Sequence, residues 1–385
     1  MNASSRTEPG DRTVRGLRLA VCVQLLDANV YNNVHALVRH PRVGEIRIVR
    51  TARVPALTDP KIRFEIVPSF PRLRRFAALY RHCRRLVLEQ AVDAMLSFNP
   101  VPYGLIAAAA ARGRVPYHLG FVGTDLYGWR HTLVWKFLRP VLRRADFVSV
   151  TGARMLADCR LLGARPESLA ILPRTIDLER FRPGGPETAD YDFIFLGRLV
   201  PIKRVDIILQ ALAEVRTRHP AARLCVVGDG PLRPALQSLA RTLGIADAVD
   251  FAGYAADAAP YLKRSRILVL ASESEGMPFA IVEGICCGVV PVSTRVGTID
   301  EVIVDGETGL LVPPRNARAL AAALNRLLDD PDLYVRLRAK VLEQRSAYDD
   351  GRATAAWGPW LAWLSGGANG AGARAAFGSE RNSCP

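Results

Sequence analysis

Short runs of β-branched and other apolar residues alternate with amphipathic stretches along most of the chain. One amphipathic stretch repeats its apolar residues at helical spacing, in Val205, Ile208, Leu209, Leu212 and Val215. The apolar runs predict two series of strands, at 17–23, 46–49, 94–98, 117–121 and 147–150, then at 193–196, 224–227, 248–251, 267–270 and 289–293. Strands separated by helices form βαβ units with parallel sheets. The pattern therefore predicts an α/β fold of two doubly wound, Rossmann-like domains facing across a cleft, with ligands near the carboxyl ends of the strands.

The segment 181–190 breaks both periodicities and concentrates proline and glycine. We therefore expect a domain boundary there, with an N-terminal domain over 1–180, a linker over 181–190 and a C-terminal domain over 191–348. Aromatic residues at helical spacing predict a further helix within 349–364 that packs against a domain. The Gly/Ala-rich segment 365–385 is predicted to be a disordered tail.

The charge of the chain is unevenly distributed. Its 385 residues are 49% hydrophobic and 23% charged, and the formal net charge is +15. Residues up to Thr175 include 28 basic and 12 acidic residues, whereas the remainder includes 24 and 25. The whole excess of positive charge therefore belongs to the first half, and the composition excludes an intrinsically disordered protein.

Several classes of protein are disfavoured by what the sequence lacks. No apolar run approaches the ~18 to 20 residues of a transmembrane helix. The apolar stretch 17–26 is short and has no small-residue cleavage site, which favours a first strand over a signal peptide. The seven cysteines form no Cys-x-x-Cys pair. We expect a reducing compartment, no disulfide framework and no structural zinc.

The segment 191–204 is predicted to be a strand, a glycine turn and a loop that leads into a helix. Arg198 and Lys203 lie on this loop, at the carboxyl end of the strand. A guanidinium and an ammonium group there suit a diphosphate. Two solvated loop cations would fit this motif equally well.

The segment 272–288 carries two glutamates around the start of an apolar helix. Glu275 and Gly276 precede Pro278, a residue favoured in the first helical turn, and free amides there could hold a phosphate. Glu283 lies inside the helix, where a carboxylate requires hydrogen-bond donors such as sugar hydroxyls. The alternatives are a helix-dipole contact for Glu275 and a structural ion pair with an arginine for Glu283.

A glycine turn at 226–233 is weaker evidence, because such turns close many βα units without touching a ligand. It lacks the third glycine of the dinucleotide fingerprint, which argues against a nicotinamide enzyme.

Taken together and in order, these motifs resemble the group 1 family of retaining glycosyltransferases with the GT-B fold. The resemblance is strong from Asp190 to about Tyr348. The matching elements are Gly197-Arg-Leu with Lys203, Val227-Gly-Asp-Gly-Pro-Leu, Val249-Asp-Phe-Ala-Gly253, the glutamates 275 and 283, and Asp305-Gly-Glu-Thr-Gly-Leu-Leu-Val-Pro313.

The resemblance implies roles that composition does not show. Arg198 and Lys203 would neutralise the diphosphate of a nucleotide sugar, Glu283 would bind the ribose hydroxyls, and Glu275 would face the transferred sugar. Amides at Gly276 and Met277 would contact the phosphates or the sugar. The residue expected near the base is Tyr254. No metal and no cofactor are expected, since the nucleotide-diphosphate sugar is a co-substrate.

The first half matches the family less well. The loop 25–33 has no glycine, where many relatives are glycine-rich, and Val122 stands where many have a histidine. His118 is interpreted as a satisfied core histidine. Asp125 is the remaining candidate for a general base or an acceptor contact, with capping of the next segment as the alternative.

The densest basic stretch is 72–88. A helix with Arg72 to Arg85 on its surface could attract anionic lipid headgroups, or could simply be a solvated face. Nucleic-acid binding ranks last, because no basic stripe is interleaved with aromatic residues.

The sequence thus predicts a metal-independent, retaining hexosyltransferase that moves a sugar from a nucleotide-diphosphate sugar to a glycan or lipid-linked acceptor in cell-envelope polysaccharide or glycolipid biosynthesis. We expect a cytoplasmic protein, or one held peripherally at the inner face of the cytoplasmic membrane. The alternatives are a disaccharide synthase or phosphorylase of the same fold, and a nucleotide-sugar-binding protein without turnover.

Overall fold

The computed structural model describes residues 16–25, 27–55, 57–68, 71–122, 133–172, 176–184, 189–275 and 279–366. Contacts within the chain divide it into two compact units. The first unit is Met1–Pro173 together with Gly351–Pro385, and the second is Arg174–Asp350.

The division lies upstream of the linker expected at 181–190, because side chains of the second unit bind the preceding segment. Arg345 donates a hydrogen bond to the carbonyl of Leu178 at 2.6 Å. Arg338 does the same to Gly184 at 2.6 Å. Ile176 and Phe181 are buried in the core of the second unit. The described part of this segment before 185 is therefore anchored to the second unit.

The first unit contains a parallel sheet of seven strands in the order β3-β2-β1-β4-β5-β6-β7. The strands are β1 Leu17–Cys22, β2 Val43–Arg50, β3 Ile62–Ile66, β4 Ala94–Ser97, β5 Tyr117–Gly120, β6 Phe147–Val150 and β7 Leu169–Ile171. Its described helices are α1 Asp27–Arg39, α2 Arg72–Leu88, α3 Leu105–Ala111, α4 Val134–Arg144, α5 Ala153–Leu161 and, after the second unit, α12 Asp350–Ser365.

Helices cover both faces of this sheet. Side chains alternate along each strand, so Leu19 of β1 packs with α1 and α12, whereas Ala20 packs with α2 and α3. Met95 of β4 faces the α2 and α3 side, and the parallel register places Tyr117 of β5 beside it. Tyr117 also packs on the core that Val148 of β6 forms with α4 and α5. Helices α2 to α5 therefore share one face, and α1 and α12 share the other.

The aromatic helix predicted over 349–364 is α12, and it packs on the first unit. Trp357 and Trp360 contact the buried rings of His118 and Phe147, with centroids 5.1 to 6.0 Å apart. Ser149 is the hydrogen-bonding partner of His118 among the described residues, with its Oγ 2.7 Å from Nε2. Burial lowers the pKa of His118 to about 3, so it is a neutral core histidine.

The second unit contains a parallel sheet of six strands in the order β10-β9-β8-β11-β12-β13. The strands are β8 Tyr191–Leu196, β9 Leu224–Val227, β10 Val249–Gly253, β11 Ser265–Leu270, β12 Val290–Thr294 and β13 Leu310–Val312. The helices are α6 Val205–Arg216, α7 Arg233–Thr242, α8 Ala259–Lys263, α9 Phe279–Cys286, α10 Ala317–Asp329 and α11 Pro331–Gln344. Both sheets have the doubly wound strand order, which confirms the predicted α/β fold of two Rossmann-like domains.

The six cysteines in the described residues are free and buried. No helix in the described ranges has the length and apolar character needed to span a bilayer.

Candidate functional site

Three glycine turns meet at the carboxyl edge of the second sheet. The amide of Gly197 donates to the carbonyl of Val227 at 3.0 Å, and Gly228 donates to Gly253 at 2.7 Å. A Cβ on Gly228 would lie 1.8 Å from the Gly197 carbonyl oxygen, so no side chain fits there. The glycines of the 226–233 motif are thus explained by close backbone packing, which brings the loops after β8, β9 and β10 together.

Arg198 lies in the first of these loops and is exposed. Among the described residues, no ion pair or hydrogen bond engages its guanidinium. Arg198 is therefore a cation available to a ligand at the edge where doubly wound sheets bind theirs.

Lys203 and Glu275 are bonded to each other. Lys203 Nζ donates to Glu275 Oε1 at 2.5 Å, and the buried Ser272 Oγ donates to the same oxygen at 2.6 Å. The carbonyl of Ser272 in turn accepts from Thr294 Oγ1 at 2.6 Å. The side chain of Glu275 is only 8% exposed, so its carboxylate balances the charge of Lys203 in the free protein.

Backbone packing also fixes the position of Glu275. Gly297 has a φ of +61°, in the left-handed region that favours glycine. A Cβ at this position would lie 1.7 Å from the carbonyl oxygen of Glu275. The turn after β12 therefore approaches the loop after β11 as closely as backbone atoms allow.

Glu283 lies on α9, half-buried, between the buried residues Val282 and Gly284. Burial raises the pKa of its carboxyl to about 7, Arg180 opposes this shift and Asp257 adds to it. Arg180 is bonded to Asp257 instead, at 3.0 Å. No described residue forms a hydrogen bond with the Glu283 carboxylate, so the structural ion pair considered for this residue does not form here.

A second ionic network anchors the loop after β11, which also carries Glu275. No local sequence pattern predicts this network. Glu273 accepts from Arg204 at 2.6 Å and from Arg315 at 2.8 and 3.0 Å. Arg315 and Arg204 together lower the pKa of Glu273 to about 2. Arg204 directly follows Lys203, so the network holds the two loops that meet in the Lys203–Glu275 pair. Arg315 is 42 positions from Glu273, too far for local patterns to indicate the contact.

Tyr254 directly follows β10 and is 76% exposed. It therefore lies at the carboxyl edge with a ring face open to a ligand. Asp125, Gly276 and Met277 lie outside the described residues. Within the described ranges, no group of three or more His, Cys, Asp and Glu could hold a metal ion.

A doubly wound sheet with an available arginine and an exposed tyrosine at its carboxyl edge, and an unpartnered carboxylate on helix α9, is typical of nucleotide- or phosphate-binding α/β proteins. Residues 177–344 match the family described as glycosyl transferases group 1. Residues 18–175 match the glycosyl transferase 4-like domain. The chain belongs to the group 1 family of glycosyltransferases.

Individual relatives agree with this assignment. The chain is 34% identical over 221 residues to a D-inositol 3-phosphate glycosyltransferase of Acidothermus cellulolyticus, covering 50% of this chain and 49% of the relative. It is 29% identical over 271 residues to a GDP-mannose-dependent alpha-(1-6)-phosphatidylinositol monomannoside mannosyltransferase of Mycolicibacterium smegmatis, covering 64% and 70%. The chain spans about half the length of the D-inositol 3-phosphate glycosyltransferases it matches, from 45% to 51%.

Solved structures share the fold. Anabaena Alr3699/HepE in complex with UDP-glucose superposes with a TM-score of 0.75 at 19% identity, covering 90% of this chain and 99% of that one. Sucrose-phosphate synthase from Thermosynechococcus elongatus gives 0.74 at 18% identity, covering 91% and 99%.

Proposed function

We propose that this protein is a retaining glycosyltransferase that transfers a sugar from a nucleotide-diphosphate sugar without a metal ion. The observation that carries the proposal is Glu283. A half-buried carboxylate without a hydrogen-bond partner is costly in a free protein. Vicinal ribose hydroxyls would supply two donors and relieve that cost on binding. Family membership makes a nucleotide sugar the ligand that fits.

Arg198 and Lys203 would hold the diphosphate in this proposal. Arg198 has no competing partner among the described residues, so its guanidinium can form a bidentate contact with phosphate oxygens. Lys203 is already paired with Glu275, and a diphosphate would share its ammonium group. Tyr254 would lie beside the base.

Glu275 would face the transferred sugar. Its second oxygen, Oε2, makes no hydrogen bond within the described ranges, whereas Oε1 is held by Lys203 and Ser272. A sugar hydroxyl could therefore donate to Oε2 without disturbing the pair. Gly276 and Met277, which precede α9, are proposed to contribute amides to the phosphates or the sugar.

The chemistry follows from these positions. As the bond between the anomeric carbon and the phosphate oxygen breaks, negative charge develops on the diphosphate, and fixed cations stabilise it. The acceptor oxygen bonds to the anomeric carbon from the same face, and its proton passes to the departing phosphate. Asp125 is the proposed acceptor-side residue.

The acceptor is proposed to be a glycan or a lipid-linked sugar in cell-envelope polysaccharide or glycolipid assembly. The M. smegmatis relative is named for a phosphatidylinositol mannoside acceptor, which supports a lipid acceptor here. We place the protein in the cytoplasm, with peripheral attachment to anionic membrane through α2. On α2, Arg72, Arg74 and Arg81 are exposed.

Incubation with a panel of nucleotide sugars, with and without lipid and glycan acceptors, tests the proposal. Release of nucleoside diphosphate together with a glycosylated product is expected, and Glu275→Ala is expected to abolish it. The variant Glu307→Ala, at an exposed carboxylate on the same unit, is the control. Nucleotide binding without product in every mixture would contradict the enzymatic proposal and leave a binding protein.

A further inference from the structure

Among the described helices of the first unit, the net positive charge lies on one face of the sheet. The helices on that face, α2, α3, α4 and α5, contain twelve arginines and lysines and a single aspartate. The helices on the opposite face, α1 and α12, contain two basic and two acidic residues. We call the surface formed by α2 to α5 the basic face. The cations are Arg72, Arg74, Arg75, Arg81, Arg84, Arg85, Lys136, Arg139, Arg143, Arg144, Arg154 and Arg160.

Helix α4 carries the largest group of exposed cations without an ion pair among the described residues of the basic face. Lys136, Arg139, Arg143 and Arg144 are exposed and line, with Pro140, a surface cavity of about 410 Å³. None of these four cations forms an ion pair with a described residue.

On α2, by contrast, some arginines are already engaged. Arg84 donates to the carbonyl of Ala110 at 2.8 Å. Arg85 lies 3.3 Å from His82 and 3.9 Å from Glu65. Among the described residues, α4 therefore has four exposed cations without an ion pair, whereas α2 has three, Arg72, Arg74 and Arg81.

Exposed apolar side chains are concentrated on the same face. Five of the six large apolar residues exposed in the described part of the first unit lie on α2, α4 or α5 or directly before α4. The five are Leu73, Leu88, Leu133, Phe137 and Leu161, which are 49% to 82% exposed. Leucine and phenylalanine among cations suit a lipid headgroup layer with acyl chains beneath it. Nucleic acid offers no apolar layer to receive them.

We infer that the basic face docks on a membrane surface rich in anionic lipids, with α4 as its main contact and Phe137 entering the headgroup boundary. This deepens the proposed function, because a surface held on the membrane would meet a lipid-linked acceptor there. The docking itself requires neither donor nor turnover, so it can fail or succeed independently of the transfer reaction.

Flotation with lipid vesicles tests the docking directly. The intact chain is expected to bind vesicles of equimolar phosphatidylglycerol and phosphatidylcholine and not those of phosphatidylcholine alone. Each basic residue near an anionic surface strengthens binding about fivefold. Arg139→Gln/Arg143→Gln is therefore expected to weaken binding about 30-fold. The control Arg241→Gln/Arg336→Gln removes two exposed cations from the second unit and is expected to have little effect.

Insertion is tested with an environment-sensitive fluorophore on Phe137→Cys, with Val335→Cys of α11 as control, since Val335 is 61% exposed. The fluorescence emission is expected to shift to shorter wavelength on anionic vesicles for the labelled Phe137→Cys variant and not for the labelled Val335→Cys variant. Equal losses in the two double arginine variants, binding to neutral vesicles, or no shift at position 137 would each overturn the inference. Tight binding to an oligonucleotide without vesicle binding would also overturn it and assign the face to nucleic acid.

Discussion

Replacing Glu283 by glutamine distinguishes the effect of this residue on the stability of the free protein from its effect on nucleotide affinity. Glutamine keeps the size of the side chain and removes the charge. If the carboxylate is held in the fold without a partner, Glu283→Gln should stabilise the free protein at neutral and alkaline pH while it weakens nucleotide binding.

The magnitude follows from the pKa of the carboxyl. Burial raises it to about 7 from a usual value of 4.5, so the folded state holds this proton more tightly than the unfolded state. Folding therefore loses stability as the pH rises through the window between these values, by about 3 kcal/mol in full. Glutamine has no such dependence. Between about pH 5.5 and 8, the stability of Glu283→Gln relative to wild type should rise by about 2 kcal/mol.

Thermal unfolding across this pH range is the assay. For a unit of this size, 2 kcal/mol corresponds to about 4 to 8 °C in Tm. The Tm difference between Glu283→Gln and wild type should widen by that amount from acid to alkaline pH, whereas Glu307→Gln should track wild type. A difference that is constant with pH, or a less stable variant at about pH 8, would refute the inference that Glu283 is an unpartnered carboxylate.

The loop that carries Glu275 gives further predictions. Gly297→Ala should lower transfer at least tenfold, because its Cβ would collide with the Glu275 carbonyl. Gly306→Ala, whose φ is also positive but which has open space around it, should retain activity. Ser272→Ala should lower kcat more than it raises KM for the donor, since it releases Oε1 of Glu275. Ser265→Ala, which loses one hydrogen bond to backbone, should change neither kcat nor KM. Equal effects of the two glycine variants, or of the two serine variants, would contradict these roles.

The sequence predicts the two-domain architecture because alternating apolar runs and helical stretches are compatible with few other folds. It misses the edge strands Ile62–Ile66, Leu169–Ile171 and Leu310–Val312. The first strand is only half-buried and the other two have three residues each. Their apolar patterns are therefore too weak or too short to predict a strand.

Long-range contacts account for the other differences. The aromatic face of α12 predicts that the helix packs, but not which unit it covers, because burial of tryptophan does not specify a partner. The same limit applies to helix α2, whose arginine-rich sequence does not show which of its apolar residues are buried. Leu73 is 82% exposed, whereas Leu79, Cys83, Leu86 and Val87 are buried.

In the candidate site, local motifs predict Arg198, Lys203, Glu275 and Glu283 because each lies at a recognisable turn or helix. They cannot show that Lys203 and Glu275 are bonded to each other 72 positions apart. This pairing depends on which strands of the sheet are neighbours.

Calorimetric titration with nucleoside diphosphates at several pH values tests the central claim, which is that the carboxyl edge of the second sheet holds a nucleotide sugar through Glu283. The wild-type affinity is expected to fall as the pH drops below about 7, where the carboxylate takes up its proton. Glu283→Ala should bind about 10- to 100-fold more weakly than wild type at alkaline pH, since it lacks charge-assisted hydrogen bonds. It should keep only the pH dependence that comes from the terminal phosphate of the ligand. Wild-type affinity in Glu283→Ala, or the same pH dependence in both proteins, would contradict the account.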